Sequence, residues 1–575
     1  MGAYGLLHAL YFWADPLGQS PVLDARENIA WAERIAMSEL PQEPIYRALL
    51  YPLLLSLFPS SSLPVAATLF GLLMHGVSAW LVGLIGWRLW QNPMAGYLGA
   101  LLYAVYPVAL YFAGQVLDIT FAITLFLAGV YVLLLSGKPT TRRRVLLWAL
   151  LAGVVGGLAV LARPNFLPAV IGFPLAALFL AAPYRFGRAL ASLAGLVLAL
   201  GLQGGVNYKL SGELRLMPWQ GAYNLYAANR SGANGKYYTQ KVSFERIAAG
   251  DNSTRMESEW LYREQAGADA PRSVAAMDAH WRAELIQEIR AAPLAWVGLM
   301  GRKTLYLFND WEQYNNLTYA YHKARWPHLR WNPLGWGLLL IAAGGGLYFG
   351  YRRMDRPVAY ALGLLILAYA AGLLLFFVSA RFRLPLVPFL CIAAGGCLFL
   401  RPMGQLRPVL WLSTGLCGLA LLSFGNWFEA RDRTTFIQDE LLLAQASSEV
   451  GADGPALELA RAVLARDPQR PEAQRLEVTS LFNLWLTSGE LAYWAATADA
   501  LAGVESSDAA VEFIRGVVLW RASESAHAVA TWRAAVARYG AEAGGSRAAL
   551  QAVGAEEVAP EDAARLEPFR RILGL

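Results

Sequence analysis

The sequence predicts an all-α fold, a polytopic membrane helix bundle with extracytoplasmic loops followed by a soluble helical-repeat domain. Three observations carry that reading. Hydrophobic residues make up 56% of the chain and charged residues only 16%, against about a quarter charged in a soluble domain. The apolar residues fall in long blocks, which is the pattern of spans crossing about 30 Å of hydrocarbon. The last part of the chain changes character, with Ala, Arg and Glu recurring at helical spacing.

At about 20 residues per span, the blocks predict helices at 63–88, 94–112, 115–136, 146–162, 166–183, 187–206, 333–351, 357–378, 384–400 and 408–428. The stretches 47–58 and 293–308 are shorter or amphipathic and read as interfacial helices. Residues 1–13 hold no Lys or Arg, so the basic start of a secretory signal is missing. Gly5–Trp13 is too short to span, and the reading favours a late start codon that truncates the first membrane helix.

Four basic groups fall between spans on one side: Lys138 with Arg142, Arg143 and Arg144; Arg185 with Arg188; Arg352 with Arg353 and Arg356; and Arg401 with Arg407. The positive-inside rule makes that side cytoplasmic. A first outer loop (14–62), a large outer loop (207–332) and the tail (429–575) then lie outside. The net charge of +6 is accounted for by these groups, so a nucleic-acid partner is not expected. The spans hold almost no ionisable residues apart from His75 and Asp118, which argues against a proton-coupled carrier. Cys391, Cys397 and Cys417 lie in apolar segments at no metal-binding spacing.

Two domains follow, 1–428 in the membrane and 429–575 soluble. In the second, "ALELARAVLARDPQRPEA" (456–473) and "AVATWRAAVARYG" (528–540) resemble tetratricopeptide-repeat helices about two repeats apart, at about 34 residues each. Such an array offers a concave surface for a protein partner or a protein acceptor.

The first outer loop reads "SPVLDARENIAWAERIAMSELPQEPIYRALLYPLLL" (20–55). Asp24 and Glu27 precede a helix whose apolar face includes Ile29, Trp31 and Ile35. By residue type alone, an acidic pair there favours the helix dipole. The loop also resembles the first outer loop of the GT-C superfamily of membrane glycosyltransferases. The nearest group is bacterial glycosyltransferase family 39, which includes protein O-mannosyltransferases and the lipid A aminoarabinose transferase. An acidic residue, an amphipathic helix and a re-entry through Pro44, Tyr46, Arg47, Ala48, Tyr51 and Pro52 carry the likeness. Further echoes follow in order: "LARPNFLP" (161–168), "QGAYNLYAANRSGANGKYY" (220–238), "GRKTLYLFNDWEQYNN" (301–316) and "SARFRLPLVP" (379–388). The resemblance covers roughly residues 14–400.

The resemblance implies transfer of a sugar from a polyprenyl-phosphate donor to an extracytoplasmic protein, lipid or glycan, in a bacterial inner membrane. Such chemistry needs a carboxylate to deprotonate the acceptor hydroxyl and cations to hold the departing phosphate. Asp24 matches the catalytic acidic position. Glu27 stands where the family often has tyrosine, so a paired-carboxylate role is open. Arg381, Arg383, Arg163 and Lys303 are the candidate phosphate ligands, and arginine suits the task through bidentate binding. Asp118 matches a second acidic position and either binds acceptor, holds a metal or caps its helix.

Glu312, His322 and His328, with Asp24, are candidates for a divalent cation of the kind some members need, although their spacing fits no metal motif and His322 is expected at the surface. Asn229, Asn252 and Asn316 match the N-glycosylation acceptor pattern, from which nothing is read because the parallels are bacterial. Two other readings stand beside the enzyme: a lipid-linked glycan carrier or flippase, and an assembly factor recruiting partners through its tail.

Overall fold

The computed structural model describes residues 2–138, 141–180, 183–242, 252–267, 269–400, 406–432, 435–504, 508–557 and 564–575, with the backbone alone at 406–409. Arg401 and the side chain of Arg407 lie outside the described residues. Helices build the chain, and no strand occurs among the described residues beyond one isolated bridge, Asn315–Leu317. Two compact units result: Met1–Ala14 with Leu23–Thr434, and Asp15–Val22 with Thr435–Leu575.

The first unit contains the apolar bundle. Among the described residues, six helical stretches are long and apolar enough to cross a membrane: Ser60–Trp90, Ile119–Ser136, Arg142–Ala162, Arg185–Ser211, Arg356–Leu375 and Ala380–Phe399. The expected single span over 94–112 is instead two helices, Pro93–Ala104 and Pro107–Ala113, bent by 59°. Pro107 explains the break, because it has no N–H to donate and pushes the preceding residue out of helical geometry. The remaining expected spans are shorter apolar helices, Pro164–Phe179, Trp336–Gly350 and Leu410–Phe424.

Small residues let neighbouring helices approach closely, as membrane packing favours. A Cβ at Gly153 would stand 1.9 Å from the Ser192 carbonyl oxygen, and one at Gly195 would stand 2.1 Å from that of Leu150. Arg188, read from sequence as a topology marker, is fully buried. Its Nη2 donates to the Leu180 carbonyl at 2.7 Å and its Nη1 to that of Ser136 at 3.3 Å. It thus answers carbonyls that two helix ends leave free.

The helices have two chemically different ends. Helix Arg142–Ala162 starts on its arginine cluster and is followed by Arg163, while Ile119–Ser136 runs from Asp118 to Lys138. At 1.5 Å per residue a 20-residue helix spans about 30 Å, so basic clusters and site residues occupy opposite faces of the bundle.

The helix Asp24–Ala36 starts on Asp24 itself, rather than after Glu27. Its inward side also departs from expectation. Glu27, Asn28 and Ala32 are buried, while Ile29, Trp31 and Ile35 are only partly covered. Asn28 donates to the Val116 carbonyl at 3.0 Å, so polar Glu27 and Asn28 are buried beside Ala32, with Ala25 and Ile29 packing partly against the same cluster.

The second unit is a run of helices, including Ile437–Glu449, Asp453–Leu464, Pro471–Ser488, Leu491–Ala502, Ala509–Arg521 and Ser525–Tyr539. Both repeat-like motifs fall on these helices. Trp532 is fully buried, and its indole lies where a Cβ on Gly516 would stand 2.1 Å from Nε1, so the glycine lets two helices close on the ring. Residues Asp15–Val22 join this unit, with Leu17 and Val22 buried.

Candidate active site

The segments that converge around Asp24 come from seven places in the sequence. The helix Asp24–Ala36 presents Asp24 and Glu27 from adjacent positions of its first turn. The segment before Leu50–Leu55 brings Tyr46 and Arg47. Its backbone is gripped by Asn207 Oδ1, which accepts from the Ile45 N–H at 2.9 Å, and by Trp219 Nε1, which donates to the Pro44 carbonyl at 3.1 Å. The large loop supplies Asn252 and Asn316. The helix Ala380–Arg383 supplies Arg381, and the ends of two spans supply Asp118 and Arg163.

The central contact joins residues 357 apart in sequence: Arg381 Nη2 donates to Asp24 Oδ2 at 2.6 Å. Arg47 Nη1 lies 3.4 Å from Asp24 Oδ1 and also donates to Glu27 Oε2. Burial alone would raise the Asp24 carboxyl. The charges of Arg47 and Arg381, with hydrogen bonds from Arg381 and Asn316, outweigh it and hold Asp24 well below the usual carboxylate range. Glu27 goes the other way: burial and the neighbouring Asp24 raise it, with Arg47 opposing. Two carboxylates one turn apart are therefore driven toward different protonation states.

Arg163 Nη1 meets Asp118 Oδ1 at 2.6 Å, and its guanidinium lies 4.8 Å from the centre of the Phe382 ring, next to Arg381. Asp118 stands at the N-cap position of Ile119–Ser136, but its side chain makes no cap hydrogen bond and serves Arg163 instead, against the capping alternative. The fields of Asp118 and Arg163 both reach Arg381, and that of Asp118 reaches Arg47. Three carboxylates and three guanidiniums thus share one face. The cluster is not closed on itself. Arg381 Nε and Nη1 and Arg163 Nε are buried without a hydrogen-bond partner among the described residues. Such donors are costly to leave unfilled.

Other candidates stand apart. Arg383 forms an ion pair with Glu312 at 2.9 Å, donates to the carbonyls of Asn309 and Trp311, and stacks 4.3 Å from the centre of the Trp336 ring. Glu312 also accepts from Tyr106 at 3.4 Å. Lys303 is buried with its Nζ 3.2 Å from Asn229 Oδ1, and burial lowers it to about 7. His322 is buried rather than at the surface, enclosed by Tyr111, Tyr321 and Trp326. Among the described residues no three His, Cys, Asp or Glu side chains group as a metal ion requires. The metal set named from sequence does not fit: Asp24 and Glu312 are each answered by arginines, and His322 sits in an aromatic box.

Sequence reasoning missed Asn252 and Asn316 as site residues. Asn252 Nδ2 donates to Glu27 Oε2 at 2.9 Å. Asn316 lies in the left-handed region, φ 65°, which asparagine tolerates better than most residues. At Asn252 the glycosylation-like pattern concealed a simpler signal: asparagine ahead of Ser-Thr is also a helix cap. Tyr46 packs edge-on against Trp219 with ring centres 4.6 Å apart, and its hydroxyl is buried without a partner among the described residues. Comparison with protein-family models, curated proteins and solved structures finds no match.

Proposed function

We propose that this chain is a glycosyltransferase of the bacterial inner membrane, moving a sugar from a polyprenyl-phosphate donor to an extracytoplasmic acceptor with inversion at the anomeric carbon. One observation supports it above the rest. A carboxylate held ionised, Asp24, lies 2.6 Å from an arginine whose other two nitrogens are buried and have no partner among the described residues. A base and an unfilled anion-binding group side by side are what this reaction needs.

In this reading the donor phosphate takes the free Nε and Nη1 of Arg381, aided by Arg163. Drawing Arg381 toward the phosphate weakens its hold on Asp24, and the carboxylate becomes more basic. Asp24 accepts the proton of the acceptor hydroxyl as that oxygen bonds to the anomeric carbon. The bond from that carbon to the phosphate oxygen breaks, and its electron pair leaves with the phosphate. Attack from the face opposite the phosphate requires one base and gives inversion. Arg47 bridges the two carboxylates and favours the charged form of each, while burial and the neighbouring Asp24 push Glu27 the other way. Arg383 and Lys303 serve other parts of the fold in this scheme. The second unit is proposed as a tetratricopeptide-like array, on the extracytoplasmic side, that docks a protein acceptor or partner.

The test is transfer from defined polyprenyl-phosphate sugars by purified full-length protein. Wild type is expected to transfer from at least one donor, and Asp24→Asn to lose about 10²–10⁴-fold. No transfer from any donor would favour the carrier or assembly-factor readings. Transfer undiminished in Asp24→Asn would remove Asp24 as the base.

A further inference from the structure

We infer that Asn252 is a positioning residue for Glu27, fixing Oε2 as its proton-free oxygen and leaving Oε1 to carry the proton. An asparagine amide has one accepting and one donating end, and its neighbours decide which way it points. Here the helix Ser253–Ala266 decides. Asn252 Oδ1 caps it, accepting from the N–H groups of Thr254 at 3.0 Å and Arg255 at 3.2 Å. The donating end then has one direction left, and it meets Glu27 Oε2 at 2.9 Å.

Arg47 Nη1 donates to the same oxygen. Two donors occupy the two lone pairs of Oε2, so a proton there would set an O–H against an N–H. Oε1 has no hydrogen bond among the described residues and is the position left for the proton. Among the described residues, the charged and polar groups that act on Glu27 fit this division. Asp24 on its own helix disfavours its charge, Arg47 favours it, Asn252 donates from the opposing helix, and Tyr46 presents a phenol whose own ionisation Glu27 opposes. Beyond these, Arg381 and Asn316 act through Asp24, Asp118 acts on Arg47, and Arg255 stacks over Tyr46.

Resting on the transferase reading, this makes Glu27 a second acid–base group beside Asp24. Its single exchangeable position is held by a residue 225 positions away. Asn252→Asp separates cap from donor, because aspartate caps a helix as well as asparagine but offers Glu27 an oxygen instead of an N–H. Asn252→Ser also caps, with no added charge.

The readout is the pH dependence of Glu27 labelling by dicyclohexylcarbodiimide, which reacts with protonated carboxyls, followed by peptide mass spectrometry on full-length protein. The labelling midpoint is expected to rise by about one pH unit in Asn252→Asp and by a smaller amount in Asn252→Ser. A midpoint unmoved in both variants, or moved down, overturns the positioning role whatever the transfer assay gives. In that assay the pH optimum is expected to follow the labelling midpoint. A labelling shift without a matching shift in optimum removes Glu27 from the acid–base chemistry. Failure of wild type to transfer at all counts against the transferase reading and leaves the labelling result standing.

Discussion

Arg381 and Arg383 sit two residues apart in one short helix and meet opposite fates. Arg383 is spent: a carboxylate, two carbonyls and an indole ring surround its guanidinium. Arg381 gives one nitrogen to Asp24 and keeps two buried donors without a partner among the described residues. The first arrangement holds a loop to a helix, and the second leaves the donors that the proposed transferase would use for the donor phosphate. The motif "SARFRLPLVP" treats the two as equals, and only the occupancy of their hydrogen bonds separates them. A buried arginine argues for ligand binding in proportion to the donors its own protein leaves unused.

The sharpest way to break this contrast is to remove each arginine. Arg383→Ala strands the buried Glu312 carboxylate, already raised by burial, and is expected to cost about 3–5 kcal/mol. That loss should appear as little folded protein in detergent by size exclusion. Arg381→Lys is expected to leave the melting temperature near wild type while lowering kcat/KM for the donor about 10²–10³-fold, the scale of one lost transition-state donor. If Arg383→Ala folds normally, or Arg381→Lys keeps full transfer, the division of labour fails.

Asp118→Asn sharpens the comparison further. It loosens Arg163 and reaches Arg381 only through space, with no hydrogen bond to it, so a smaller loss of about tenfold is expected, carried by KM for the donor rather than by kcat.

The smallest effect concerns Lys303, buried on a neutral amide. Its folded value is lowered from 10.5 to about 7, so the unfolded chain binds more protons between those values and stability should rise with pH across that window. Below about pH 7 the penalty for a charged, buried Lys303 is fully present. Lys303→Met should flatten the rise, read as melting temperature against pH.

Much of this was legible in the sequence, and the reasons for the rest are physical. Long apolar blocks report burial directly, so the helical bundle and its loops could be read. Asp24 and Arg381 could be named because carboxylate and guanidinium are the right chemistry in loops assigned to one side. Their pairing could not, since no local pattern links positions 357 apart. The helix Asp24–Ala36 misled because amphipathicity assumes that apolar means inward, whereas Glu27 and Asn28 are buried with Ala32 while Trp31 and Ile35 are only partly covered. Asn252 was invisible because its contacts face two ways, toward its own helix and toward Glu27. The bend before Pro107 was written in the sequence but hidden by unbroken hydrophobicity on both sides.

The eight residues Asp15–Val22 carry a practical warning. They fold with Thr435–Leu575, and the chain passes from Val22 through Leu23, at φ 54°, straight to Asp24. Excising the tail would uncover Leu17 and Val22 just upstream of the carboxylate, so an inactive truncation would say nothing about a recruited guest. Dissecting the two modules calls for surface changes that leave this strap and its bed intact.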